Sequence, residues 1–229
     1  MRLTTLFIIA NVVVFILQTI SFNVYCDPAF VEADRCNAEM AHDPFTTLFS
    51  LTPALALGNL FIWQFFTYMF LHGNLWHISV NMIFLFMFGS AIEYSLGQKK
   101  YISLFVISGM GSALFYLLLT TLLTPGSALS TIPMMGASGA VFGILAAYGF
   151  MFPKNKVFLF FIEIPAIVLV GILAVVEFVI GLYGLQEGIA NFGHLGGIIS
   201  GILVMYYYKN KISKSRSGKS LREFEYFWE

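Results

Sequence analysis

The chain has 229 residues, of which 59% are hydrophobic and 10% charged, and its mean hydropathy is +0.83. Twelve basic and twelve acidic residues cancel to a net charge of zero. These values exclude a soluble domain of ordinary composition and give no reason to expect nucleic acid as a partner; lipid is the expected solvent.

A helix needs roughly 20 apolar residues to cross about 30 Å of hydrocarbon. Six segments approach that length: Leu3–Ser21, His77–Tyr94, Tyr101–Leu123, Ser138–Phe152, Val157–Leu182 and Phe192–Tyr208. The fourth is short, and its start could lie as early as Met134. The expected fold is an all-α polytopic membrane protein with six transmembrane helices over residues 1–208, a long outer loop over 22–76 and a basic tail over 209–229. Arg2 and the apolar run after it resemble a signal peptide, but no small-x-small cleavage site follows in Ser21–Cys26, so the segment is read as an uncleaved span.

Charge sets the expected topology. With the N-terminus cytoplasmic, the inside segments hold Arg2, Lys99, Lys100, Lys154, Lys156 and the tail, which together carry eleven of the twelve basic residues; Arg35 alone lies outside. The positive-inside rule then places both termini in the cytoplasm, and the expected location is a bacterial inner membrane. The tail Lys209–Arg222 is basic and Ser-rich, suited to contact with anionic lipid or to a disordered topogenic role. Cys26 and Cys36 both fall in the outer loop, where a disulfide and two free thiols are equally compatible with the spacing. No His or Cys stands at ligand spacing beside them, so neither a metal nor another cofactor is expected.

This topology puts the N-terminal ends of the second, fourth and sixth spans at one depth near the outer surface. His77 and Asn81, Ser138, and His194 therefore converge from distant parts of the chain. Ser138 stands in Gly136-Ala137-Ser138-Gly139 at a helix start, where free N–H groups and the helix dipole favour developing negative charge. A small Ser in a helix contact is the alternative reading. His194 stands in Gly193-His194-Leu195-Gly196-Gly197, about one turn into the sixth span, where an ionisable side chain is costly unless it has a task; a structural hydrogen-bonding His is the alternative.

Gly193, Gly197 and Gly201 recur every four residues and face Gly139 and Gly143 of the fourth span, a small-residue match that lets two helix backbones approach closely. A Ser–His pair brought together in this way can act without an acidic third member, His taking the Ser proton and returning it to the leaving amine. No Asp or Glu is placed by sequence to complete a triad; Glu187, in the expected outer cap, has no claim to that role. Phe142, one turn after Ser138, is a candidate to orient the imidazole by ring contact. His77 and Asn81, at i and i+4, share a helix face and can donate to an oxyanion together with the Ser138 N–H, or else tie the helix to its loop. His72 is read as structural. Glu163 and Glu177, both assigned to the fifth span, are left without a role, and Pro165 is expected to kink that span.

His72-Gly73-Asn74-Leu75-Trp76-His77-Ile78-Ser79-Val80-Asn81, Gly136-Ala137-Ser138-Gly139 and the Gly193-His194 glycine stripe together resemble the second-, fourth- and sixth-helix motifs of the rhomboid family. The resemblance covers Trp63 to about Tyr208 and implies an intramembrane serine protease. By it, Ser138 is the nucleophile, His194 the base, and His77, Asn81 and the Ser138 amide the oxyanion site, with Gly136, Gly139, Phe142 and Gly197 in support. It further implies single-pass membrane proteins as substrates, cut near the outer face after a small residue. The fifth span, with an outer cap over Tyr183–Ala190, would be the lateral gate, and the whole a bacterial-type six-span core. Some rhomboids carry Trp-Arg where this chain has Trp63-Gln64, which puts an Arg-mediated loop contact in doubt. Two alternatives remain: an inactive rhomboid-like protein that binds membrane clients, and a small proton-coupled transporter using Glu163, Glu177 and His194.

Overall fold

A computed structural model describes residues 2–26, 43–123, 131–159, 162–183 and 185–215. Among them the helices are α1 (Leu3–Tyr25), α2 (Pro44–Phe49), α3 (Gln64–Thr67), α4 (Leu75–Leu96), α5 (Gln98–Leu123), α6 (Ser138–Met151), α7 (Ala166–Tyr183) and α8 (Leu185–Ser215). One antiparallel hairpin joins β1 (Lys156–Leu159) to β2 (Ile162–Pro165). By length and composition α1, α4, α5 and α7 can each cross a membrane, while α6 is apolar over 14 residues. The architecture is that of a helical polytopic membrane protein.

The short helix is the central one. Ten of the 14 residues of α6 are buried, on every side of the helix, because α4, α5, α7 and α8 all pack against it. Small residues make this possible. A Cβ on Gly197 of α8 would overlap the Gly139 carbonyl of α6, one on Gly201 would overlap the Gly143 carbonyl, and one on Gly143 would meet Ser108 of α5. These backbones lie in contact, with no side-chain layer between them.

The N-terminal helix has the reverse of a soluble pattern. Thr4, Asn11 and Gln18, seven residues apart, are buried, whereas Leu6, Ile9, Val13 and Leu17 are exposed. Gln18 joins two parts of the loop, donating to Thr46 Oγ1 at 3.0 Å and accepting the His72 N–H at 3.0 Å. The last carbonyls of α2, which have no partner within the helix, are taken by later side chains: Gln64 donates to Thr47 and Leu48, Trp63 Nε1 to Leu48, and Thr67 to Phe49. Gln64 also accepts the Thr52 N–H at 3.1 Å. The residue that replaces Arg in the Trp-Arg pair is thus fully buried and pins the loop without a charge.

Several expectations need correction. The segment over Val157–Leu182 is not a single helix: its first part is the hairpin, and the helix begins at Ala166. Pro165 has no N–H to donate to a helix and disfavours helical backbone at Ile164, while Val157, Phe158, Ile162 and Ile164 suit extended structure. Glu163 consequently lies outside the spanning helix, ion-paired across the strands to Lys156 in an exposed position. The segment over Tyr183–Ala190 is helical from Leu185, so His194 stands nine residues into α8 instead of one turn. The backbone of α8 remains helical to Ser215, past the expected start of the tail at residue 209. Cys36 and residues 216–229 lie outside the described residues. The fourth helix starts at Ser138, as the segment bounds expect, and not at the alternative Met134.

Candidate functional site

The site is assembled where α4, α6, α7 and α8 converge. Leu51 and Met134 exchange two backbone hydrogen bonds of 2.9 Å, tying the chain before α6 to the loop after α2. Gly136 follows at φ +127°, a backbone conformation that L side chains rarely adopt, and its N–H donates to the Tyr68 carbonyl at 3.0 Å. A Cβ here would lie 2.7 Å from His77 Nε2, so glycine is also what lets the His77 ring reach the start of α6. Ser138 is the first residue of that helix.

His194 Nε2 lies 2.8 Å from Ser138 Oγ. Phe142, one turn along α6, stacks on the imidazole with ring centroids 4.7 Å apart and planes 19° apart. Gly193 beside it packs against Met134 and Ser112, and Gly197 seats the next turn of α8 on the Gly139 backbone. Ser and His are thereby held by two helices whose separation the glycines set.

On α4, Asn74 caps the helix and accepts the His77 N–H at 2.8 Å. Gly73 N–H approaches His77 Nδ1 at 3.4 Å, which makes Nδ1 the acceptor and places the proton of the neutral ring on Nε2, the nitrogen that faces Gly136. Asn81 is 5% exposed and donates one amide N–H to the His77 carbonyl at 2.9 Å, leaving a second. A cavity of about 310 Å³ is lined by His77, Asn81, Ser138, Phe142, Glu177 and His194, with Val80, Phe84, Leu145 and Leu173 as apolar wall. A second, of about 200 Å³, lies against Ser138 and His77 where Tyr68, Pro133 and Met135 approach.

His72 is fully buried, its ring edge-on to His77 at 5.0 Å between centroids. Burial, and then repulsion from His77, push its pKa down to about 3 against a smaller opposing pull from the Phe70 carbonyl, so the ring is neutral and Nε2 faces the Ala137 N–H at 3.5 Å.

One part of the site runs against expectation. An acid does reach the imidazole: Glu177 Oε2 of α7 lies 2.9 Å from His194 Nδ1, and Asn191 Nδ2 donates to the same oxygen at 2.6 Å. The signal was present in the sequence. Glu177 and Asn191 are equally distant from Gly184, the residue between the two helices, so folding α7 and α8 as an antiparallel pair sets them side by side. The symmetry holds with residues 185–190 helical and is lost with the loop expected there. Among the described residues no group of three or more His, Cys, Asp or Glu has an arrangement suited to a metal ion.

A family model described as the Rhomboid domain matches residues 60–211. The chain is 33% identical over 151 residues to Rhomboid protein 1, mitochondrial, of Saccharomyces cerevisiae, a match covering 64% of this chain and 42% of that protein. It is 30% identical over 164 residues to Rhomboid protease AarA of Providencia stuartii, covering 64% of this chain and 56% of the relative. With Rhomboid protease GluP of Bacillus subtilis it shares 29% identity over 140 residues, 61% of this chain and 24% of the other. The match thus spans about half or less of these relatives' length. With two thirds of its residues matched by the family model, the chain belongs to the rhomboid family of integral membrane proteins.

Proposed function

We propose that the chain is an intramembrane serine endopeptidase that cleaves single-pass membrane proteins near the outer face of the bilayer. The observation that carries the reading is the 2.8 Å contact between Ser138 Oγ and His194 Nε2 at the edge of a cavity among membrane-length helices. In the first step Ser138 Oγ bonds to the scissile carbonyl carbon as its proton passes to His194 Nε2. The carbonyl oxygen becomes an oxyanion, for which the Ser138 N–H at the start of α6, His77 Nε2–H and the second N–H of Asn81 are the donors. When the tetrahedral species collapses, the C–N bond breaks and the Nε2 proton goes to the leaving amine. Water then adds to the acyl group, gives a proton to His194, and Ser138 leaves with that proton restored.

By resemblance to the family, the substrate enters past α7 and presents a small residue before the cut. The charge alternation supports an orientation with both termini inside and the site outside. Purified protein in liposomes, offered a panel of tagged single-pass substrates and a fluorophosphonate probe, tests the reading. Wild type is expected to cut at least one substrate and to take the probe on Ser138. Ser138→Ala and His194→Ala should lose cleavage by more than about 10⁴-fold. Failure of wild type in both assays would return the chain to the client-binding alternative.

A further inference from the structure

Glu177 is the only acid among the described residues to touch the imidazole, and a Ser–His pair does not by itself require one. Its helix, Ala166–Tyr183, is otherwise apolar, so a carboxylate within it is costly unless it is paired. An ionised carboxylate offers only acceptors. Its contact with Nδ1 therefore requires the proton on that nitrogen and leaves the Nε2 lone pair for Ser138 Oγ, the tautomer a general base needs. The His194 and Glu177 side chains are only 24% and 12% exposed, which limits screening of the pair by water. Asn191, three residues before His194, shares its helix face and donates to the carboxylate oxygen that meets the ring.

We propose that Glu177 is a positioning residue for His194, extending the pair to a Ser138–His194–Glu177 relay carried by α6, α8 and α7; this rests on the protease reading above. When Ser138 gives its proton to Nε2, the imidazolium keeps its Nδ1 proton and donates it in a hydrogen bond to Glu177, which stays ionised. On collapse the Nε2 proton leaves with the amine. The carboxylate neither gains nor loses a proton; it fixes the ring and favours its cationic form. Besides Glu177, the titratable groups that line the two cavities with His194 are His77 from α4 and Tyr68 from the preceding loop, with His72 behind His77. Neither a neutral imidazole nor a phenol replaces a negative charge at Nδ1.

The full chain is assayed as wild type, Glu177→Gln, Glu177→Asp and Asn191→Ala. The expected result for Glu177→Gln is a kcat lower by about 10- to 1000-fold with KM within about twofold, because the imidazole loses the acceptor that holds its Nδ1 proton. Glu177→Asp should recover part of kcat. Asn191→Ala, which keeps the carboxylate but removes its second donor, should cost about 3- to 10-fold. An arm independent of turnover follows the His194 ring nitrogens by NMR in the Ser138→Ala background, where the proton of the neutral ring should sit on Nδ1 and should lose that preference when Glu177→Gln is added. A lower kcat with the Nδ1 tautomer unchanged in Glu177→Gln and no recovery in Glu177→Asp means simple packing and overturns the proposal. Wild-type cleavage and labelling with Glu177→Gln indistinguishable from it overturns the positioning role alone. A wild type that neither cleaves nor labels overturns the protease reading, and the relay with it.

Discussion

Glu93, buried, and Glu177, half-buried, are both carboxylates within membrane-length helices, yet their partners differ in kind. Glu93 is 5% exposed and receives the N–H groups of Leu3 and Thr4 at 2.7 and 2.8 Å and the Thr4 hydroxyl at 2.7 Å. It closes the start of α1, where backbone donors have no partner within the helix and the dipole favours an anion. Its partners are backbone N–H groups, the Thr4 hydroxyl and the Gln98 side-chain amide. Glu177 instead meets an ionisable ring and an amide beside a cavity. An acid satisfied by backbone donors holds helices together, whereas one whose partner can change its protonation state, next to open space, can take part in chemistry.

The comparison breaks most visibly at the cavity. Asn81→Ala removes one proposed oxyanion donor and should lower turnover by about 10- to 1000-fold while thermal unfolding in detergent stays within about 2 °C of wild type. Unchanged turnover would restrict Asn81 to its bond with the His77 carbonyl. At the other carboxylate the effects should be exchanged. Glu93→Ala leaves the Leu3 and Thr4 donors and the Gln98 side chain without their anion and should cost about 2 to 4 kcal/mol of stability, read as a lower unfolding midpoint, with kcat per folded molecule within about twofold. A loss of kcat comparable to that of Asn81→Ala would mean that the two carboxylates are not functionally distinct.

Much of the site was legible because its signals are local or periodic. Glycine every four residues on α8 reports a close helix approach directly, and Ser138 at a helix start reports the amides there. Glu177 escaped for a different reason: its role depends on how α7 and α8 pair, and that pairing turns on whether residues 185–190 are helix or loop. Composition does not decide this, since Gly188, Gly193 and Asn191 suit a cap as well as a tightly packed helix. The hairpin was missed because hydropathy averages over a window, and Val157–Ile164 is as apolar as the helix that follows. Pro165 marks the boundary, standing just before the start of α7 and not at a kink within it. The role of Gln64 likewise needed the position of α2, which its own sequence neighbourhood does not provide.

His72 sharpens the contrast from a third direction, being buried at the site without an anion. Its pKa falls to about 3 in the folded protein against an ordinary value of 6.5, because burial and the adjacent His77 disfavour charge. Between those two values the unfolded chain binds a proton that the folded chain does not. Stability from this group is therefore fully present above about pH 6.5, declines as the pH falls towards 3, and changes no further below it. The slope it contributes is at most about 1.4 kcal/mol per pH unit. His72→Gln, which cannot take up that proton, should flatten the acid side of the stability profile by part of that slope, seen as a smaller drop in unfolding midpoint between pH 6.5 and pH 5 than in wild type. Because the neutral Nε2 faces the Ala137 N–H, one residue before Ser138, protonation would also remove the acceptor that holds the chain entering α6. An unfolding midpoint with the same pH dependence in variant and wild type would show that His72 titrates as an ordinary surface histidine and that burial at this end of the molecule carries no electrostatic cost.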